Sequence, residues 1–336
     1  MLRSTEHLLL PGAVALVFFV ILSGASVAQG QRTEESPAGC ELSEPKPSND
    51  PATCRELWEK IGLPTFKGSA GEASVPVCHK RYILMHNNER RIPDWVLQHL
   101  TREQVSGDES RPKIAFKPEP DVPACAQAVD KDYRGSKFAR GHQAPSEDFN
   151  IDQDLMKDTF FFSNVVPQIG NGFNSGIWST LEEKVRDLAK SRGELFVITG
   201  PIYQDPEGAS QTITAAENAC GKTIKLDALP KTKRPTRVCA AGNQKKAQPC
   251  GDEGAAVPSA LFKIIYDPIN DRANAYVLPN VDHKELKGKV DALAYLENFR
   301  TTVHVVEEYT GVSFLTALPK REQRQRKQQC GASMFR

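Results

Sequence analysis

Apolar residues recur from Trp178 at Leu181, Val185, Leu188 and Ala189, the spacing of one helical face, and Gly193 closes the helix they predict. Glu194 to Thr199 then runs almost unbroken in apolar residues and predicts a buried strand, stopped by Gly200-Pro201. Upstream, Arg81 to Met85 and Pro93 to Leu97 predict short strands, and the aromatic run Asp158 to Asn164 suits another. Downstream, Ser259 to Tyr266 and Ala273 to Leu278 predict a pair of strands across a Pro/Asn/Asp turn. Val303 to Tyr309 predicts a late helix or strand ahead of Gly311, and Cys54 to Ile61 a short helix. Arg102 to Ala124 is polar and Pro-punctuated, hence loop, and Gln204 to Val257 reads as a polar surface insertion. No internal repeat and no second core signature occur, so the expectation is one main domain of mixed α and β elements.

The first thirty residues have another pattern. Arg3 and a short polar stretch precede an apolar run from Ala13 to Leu22, then small residues through Ala28. This predicts a secretory signal peptide cut after Ala28, leaving no membrane anchor, because the apolar run is short for a bilayer span. The expected location is secreted or periplasmic. The 8 cysteines all follow that segment. In an oxidising compartment they read as structural disulfides, although sequence alone leaves on the order of a hundred pairings open. Cys220, Cys239 and Cys250 are expected to staple the insertion to itself or to its neighbours. With 43 Lys+Arg against 42 Asp+Glu the net charge is only +1, so any contact with nucleic acid must come from a local cluster.

Several motifs fail on spacing. Gly221-Lys222-Thr223 ends like a phosphate loop, but Ala216 stands where the first Gly belongs. Gly170, Gly172 and Gly176 miss the dinucleotide pattern. What remains is concentrated between Tyr133 and Glu182: Arg140-Gly-His142, then Asn164-Val-Val-Pro-Gln168, then Asn174-Ser-Gly-Ile-Trp178-Ser-Thr-Leu-Glu182. His142 follows a Gly that permits a tight turn, and His is the side chain best suited to take a proton near neutral pH. Asn174, Trp178 and Glu182 are spaced by four, so a helix starting near Asn174 would carry them on one stripe at roughly 0°, 40° and 80°. Such a stripe could offer an amide oxygen and a carboxylate to one hard cation. Taken singly, His142 would more often be structural, Asn174 a helix cap, Glu182 a solvated residue and Trp178 core. His79, His86, His99, His283 and His304 have no partner spacing and read as surface or hydrogen-bonded residues.

The same stretch resembles the DNA/RNA non-specific endonuclease family. Asp132-Tyr-Arg-Gly-Ser-Lys-Phe-Ala-Arg140-Gly-His142 is similar to its DYRGSxFDRGH segment, and Asn174 to Glu182 to its NxGxWxxLE segment. Val197 to Tyr203, Val257 to Lys263, Ala275 to Asn280 and Glu308 to Gly311 with Phe314 also agree, so the likeness runs in order over about residues 78 to 319. It implies an α+β, ββα-metal (His-Me finger) nuclease fold, a central mostly antiparallel sheet flanked by helices. The implied domain plan is a signal peptide over 1–28, an extended segment over 29–77, the nuclease domain over 78–320 and a basic tail over 321–336.

The resemblance also implies roles. His142 would be the general base, Asn174 the sole direct protein ligand of a magnesium ion, with manganese as a substitute, and Glu182 the holder of the metal's waters. Arg140 would face the phosphate, Asn164 would support the site by hydrogen bonding, and Arg111, before Phe116, would be a second phosphate-facing arginine. DNA and RNA would be gripped through the phosphate backbone and cut to 5′-phosphate ends. A homodimer and a protein inhibitor are partners the resemblance allows. One departure stands out: Ala139 occupies the family's usual Asp. The alternative is therefore a catalytically weakened member that binds nucleic acid or protein.

Overall fold

A computed structural model describes residues 46–68, 71, 73–203, 220, 237–238, 254–283, 291–330 and 332–335. The expected signal peptide, Cys40, Cys239, Cys250 and most of the insertion lie outside the described residues. In chain order, the elements that build the platform are β1 (Ser74–Cys78), β2 (Tyr82–Asn87), β3 (Ile92–Thr101), β4 (Phe138–His142), β5 (Val165–Ile169) and α1 (Ser179–Arg192). They continue as β6 (Glu194–Ile202), β7 (Ala260–Asp267), β8 (Arg272–Pro279), β9 (Arg300–Thr301), α2 (Val303–Thr310) and α3 (Lys320–Gln328). Seven strands form one sheet in the order β9-β8-β7-β6-β3-β2-β1, antiparallel throughout.

The unbroken apolar run in β6 has a simple cause. Successive side chains of a strand point to opposite faces, and here both faces are covered. Leu195 and Val197 join a core with Leu261, Ile265 and the α1 residues Leu181 and Val185. Phe196 and Ile198 face the other way, toward Phe262, Ile264, Val303 and Phe314. The result is three layers, with the sheet between the β4-β5-α1 layer and a layer of chain ends. Gly193 ends α1 at φ 101°, which an L side chain resists.

Two sequence expectations change. Asp158 to Asn164 is not a strand: a helix over Gln153–Asp158 ends there, and a turn of 3-10 helix covers Phe162–Asn164. The Thr159 hydroxyl donates to Met156 O at 2.7 Å, a local side-chain-to-backbone bond that competes with extended pairing. The lead-in is not all extended coil, since β1 is the edge strand of the sheet, where Pro76 is tolerated, and Cys54 is disulfide-bonded to Cys78. The basic tail is pinned down through Cys330. In α3, Lys327 pairs with Glu307 at 2.7 Å, and Cys330 is disulfide-bonded to Cys220, tying the insertion to the chain end. Met334 is buried beyond it, and Phe335 stacks on Tyr276 at 5.5 Å.

Directly after β1, the His79 ring is 3.0 Å from Glu119 and 3.5 Å from Asp158, with its side chain 6% exposed. Burial alone would lower its pKa, but the bonds to Asp158 and Glu119 outweigh burial and push it up to about 9. A raised histidine stabilises the fold fully below its ordinary value of 6.5, and that contribution is lost as pH rises toward about 9. Thermal unfolding from pH 6 to 9.5 should show wild type losing on the order of 3 kcal/mol over this window. His79→Gln should be less stable at pH 6 and lack that decline. An unchanged decline in the variant would assign it to another group.

Candidate active site

β4 and β5 pair antiparallel, with His142 opposite Val165 and Arg140 opposite Pro167. Strand alternation puts Arg140 and His142 on one face, with Ala139 and Gly141 on the other. A Cβ at Gly141 would collide with the Gln168 side chain. The glycine before His142 therefore serves close strand approach, not the tight turn expected from sequence.

His142 is 8% exposed. Its ring lies 5.0 Å from Phe116 and 5.0 Å from Phe160, the latter edge-on. Nε2 is buried without a hydrogen-bond partner among the described residues. Burial, aided by the Arg111 charge and opposed by Glu147, pulls its pKa down to about 3. The imidazole is therefore neutral at physiological pH, with a lone pair available for a proton.

Asn164 fixes the chain next to it. Its Nδ2 donates to Ala144 O and Thr159 O, and its Oδ1 accepts from Ala144 N–H, each at 2.9 Å. The Gln143 N–H donates to Asn164 O at 2.9 Å. Arg140 is ion-paired with Asp130, and its guanidinium sits 5.4 Å from the Tyr133 ring. Arg111 is brought to the site across a loop: its guanidinium lies 5.2 Å from the Phe160 ring and pairs with Glu147 at 3.0 Å.

The stripe of Asn174, Trp178 and Glu182 is not a continuous helical stripe. α1 starts at Ser179, and Gly170–Trp178 is broken by non-helical backbone at Asn171, Gly172, Ser175 and Gly176. Gly172 and Gly176 let the chain turn there, so only Trp178 and Glu182 keep helical spacing. Asn174, half-buried, lies in this irregular segment, which packs on β4 and β5. Neither Asn174 nor Glu182 makes a side-chain hydrogen bond within the described residues.

A buried polar group beneath Glu182 escaped the sequence reading. Lys263 of β7 is 1% exposed, donates to Thr199 Oγ1 at 2.7 Å and lies 4.9 Å from the Trp178 ring. Burial pushes the Glu182 carboxyl up from its ordinary value, with the Lys263 charge opposing it. Arg186, one helical turn on, pairs with Asp148 at 3.1 Å, and Gln98 donates to Asp148 at 3.0 Å. The position of Arg186 four residues after Glu182 was a readable signal. The charge of Lys263, far along the chain, was not.

The sequence profile of the DNA/RNA non-specific endonuclease family matches residues 64–321. The chain belongs to that family. It is 30% identical over 256 residues to nuclease C1 of Cunninghamella echinulata var. echinulata, covering 75% of this chain and 86% of that protein. It is 27% identical over 323 residues to human mitochondrial nuclease EXOG, covering 92% of this chain and 69% of that protein. The match to mouse mitochondrial nuclease EXOG spans 57% of that protein's length. Among solved structures, that of EndoG with EndoGI is similar at a TM-score of 0.60 and 25% identity, covering 80% of this chain and 94% of that one. The α+β nuclease fold expected from sequence is the one observed.

The relatives also correct the expected location. Similar nucleases from human, mouse, zebrafish and fission yeast are named mitochondrial, which points away from a secreted or periplasmic protein. The reason for the error is physical. A short apolar run behind one basic residue is a generic leader feature and does not by itself specify the compartment.

Proposed function

We propose that this chain is a metal-dependent, sugar-non-specific endonuclease that hydrolyses phosphodiester bonds of DNA and RNA. The carrying observation is the His142 imidazole: buried, neutral, its Nε2 unpartnered, on the same strand face as Arg140. In this reading Nε2 takes the proton of the attacking water. The hydroxide adds to phosphorus in line, the P–O3′ bond breaks, the departing O3′ takes a proton from solvent and leaves as a 3′-hydroxyl, and the phosphate stays on the 5′ end. Asn164 holds the backbone after His142 so that the ring is aimed before substrate arrives. Arg140 and Arg111 offset charge as it builds on the phosphoryl oxygens.

The donor set fits a magnesium ion. The Asn174 amide and Glu182 carboxylate are hydrogen-bond-free, and no group of three His, Cys, Asp or Glu forms a metal cage among the described residues. A cation held by one amide oxygen, with a carboxylate behind its waters, suits magnesium, which dehydrates reluctantly. Manganese would substitute. When bound, the ion would draw charge from the scissile phosphate and the departing oxygen. Lys263 opposes protonation of Glu182 and so favours the carboxylate. These groups address the backbone and none addresses a base edge, which supports action without base or sugar preference.

The test is digestion of plasmid and RNA with magnesium, with manganese and with EDTA. Both substrates should be cut to 5′-phosphate ends, EDTA should stop the reaction, and raising salt from 50 to 200 mM should slow it at subsaturating substrate. A folded, metal-supplied protein that binds but never cuts would instead favour the weakened binding module. Ala139 motivates that alternative: it faces Gln168, whose buried amide has no hydrogen-bond partner among the described residues. The names of the mitochondrial relatives support that organelle as the place of the proposed activity, and the EndoG/EndoGI complex, titled for EndoG inhibition, supports a protein inhibitor as a proposed partner.

A further inference from the structure

The loop at the rim of the site carries residues that the chemistry above does not use. Arg111 and Phe116 both reach the His142 cluster, Arg111 at 5.2 Å from the Phe160 ring and Phe116 at 5.0 Å from the His142 ring. The segment between them, Pro112-Lys113-Ile114-Ala115, is anchored at both ends and must loop outward from the rim. Lys113, Ile114 and Ala115 are exposed. Beyond Phe116 the loop is held by backbone bonds, Lys117 N–H to Phe160 O and Phe162 N–H to Lys117 O, both 2.9 Å. The exposed Lys117 keeps its ammonium 4.0 Å from the Phe161 ring.

Ile114, 39% exposed, is one of two exposed large hydrophobics among the described residues. The other, Ile269, sits on the β7-β8 turn beside Gly193 at the end of α1. Between residues 111 and 117 every charge is positive: Arg111, Lys113 and Lys117. Arg111 is partly offset by Glu147, whereas neither lysine is in an ion pair among the described residues. A cation, an apolar side chain and a second cation in succession match a polynucleotide, which alternates anionic phosphates with the apolar faces of sugar and base.

We propose that this loop is a strand-binding lip, resting on the nuclease reading above. Lys113 and Lys117 each take a phosphate flanking the scissile one. Ile114 lies against the sugar and base face of the intervening nucleotide without selecting the base. In duplex DNA that face is covered by stacking, so the Ile114 contact belongs to single strands, while both lysine contacts serve either form.

The experiment uses the full chain. Binding of a labelled single-stranded oligonucleotide and of its duplex is measured in the His142→Ala background across a salt titration, and KM and kcat in the wild-type background. For Lys113→Gln with Lys117→Gln, the slope of log affinity against log salt on single strands should become shallower by about 1.4, roughly 0.7 per lost phosphate contact. KM should rise with kcat unchanged, and Lys→Arg at both positions should restore the slope. Ile114→Ser should weaken single-strand binding about fivefold and leave duplex binding unchanged. Unchanged slopes and KM in a protein that otherwise binds and cuts would overturn the lip and leave the nuclease reading intact. Binding with the expected slope change but no cleavage in the wild-type background would support the lip and sink the hydrolytic reading. No nucleic-acid binding at all would overturn both.

Discussion

His142→Ala is expected to lower kcat on plasmid and on RNA by roughly 10²–10⁴-fold, the usual contribution of a positioned general base. KM should change little, because the phosphate grip is assigned to arginines and metal. The pH dependence gives a second, independent readout. Burial holds the folded-state pKa of His142 near 3, against an ordinary 6.5. The imidazole is then competent over the whole range above about 3, so the acid limb of kcat/KM should fall below 6.5. The same shift makes His142 a liability in acid: the unfolded chain takes up its proton first, and stability is lost as pH falls from 6.5 toward 3. His142→Ala should therefore lose less stability than wild type between pH 6 and pH 4. A variant that retains full cleavage would remove His142 from the mechanism. An acid limb centred near 6.5 would mean that the ring is far more solvated than its 8% exposure indicates.

Asn164→Ala should cost the fold about 3 kcal/mol, because Ala144 N–H, Ala144 O and Thr159 O all lose their side-chain partner in a buried setting. Activity should fall as well, even at temperatures where the variant is fully folded, since the backbone two residues from His142 is no longer held. Denaturant melts and kcat on the same preparation separate the two effects. Asn164→Asp keeps the acceptor for Ala144 N–H but sets a second carboxylate oxygen against Ala144 O and Thr159 O in a buried site, and should be at least as destabilised as the alanine variant at neutral pH. Wild-type kcat in a destabilised Asn164→Ala protein would confine the residue to a structural role.

Much of the sheet could be read along the chain. β6, β7 and β8 are runs whose period and composition admit little else, and α1 announces itself through Leu181, Val185 and Leu188 and its closing Gly193. The short pair β4-β5 was not visible as strands, because Phe138 to His142 has no alternation of its own and derives its order from pairing. The aromatic segment at Asp158 misled for the complementary reason: its rings are buried singly from a turn, and periodicity cannot separate that from a strand. Asn174 and Glu182 stood out by spacing, yet the helix that spacing suggested begins only at Ser179, since two glycines make the preceding segment irregular.

By itself the sequence determined the fold class, the family, and the residue types of the candidate site, because those depend on local order along the chain: blocks in register, an Arg two residues before a His, an Asn ahead of a helix. Only the tertiary structure decided what state those residues are in. The pKa of His142 follows from Phe116 and Phe160 closing over it. The charge acting on Glu182 includes that of Lys263, a β7 residue 81 positions away in the chain. The basic tail is held by Glu307 and by Cys220. Burial, dielectric and charge pairing are properties of what surrounds a group in space, and a linear chain does not specify its neighbours until the sheet has brought them together.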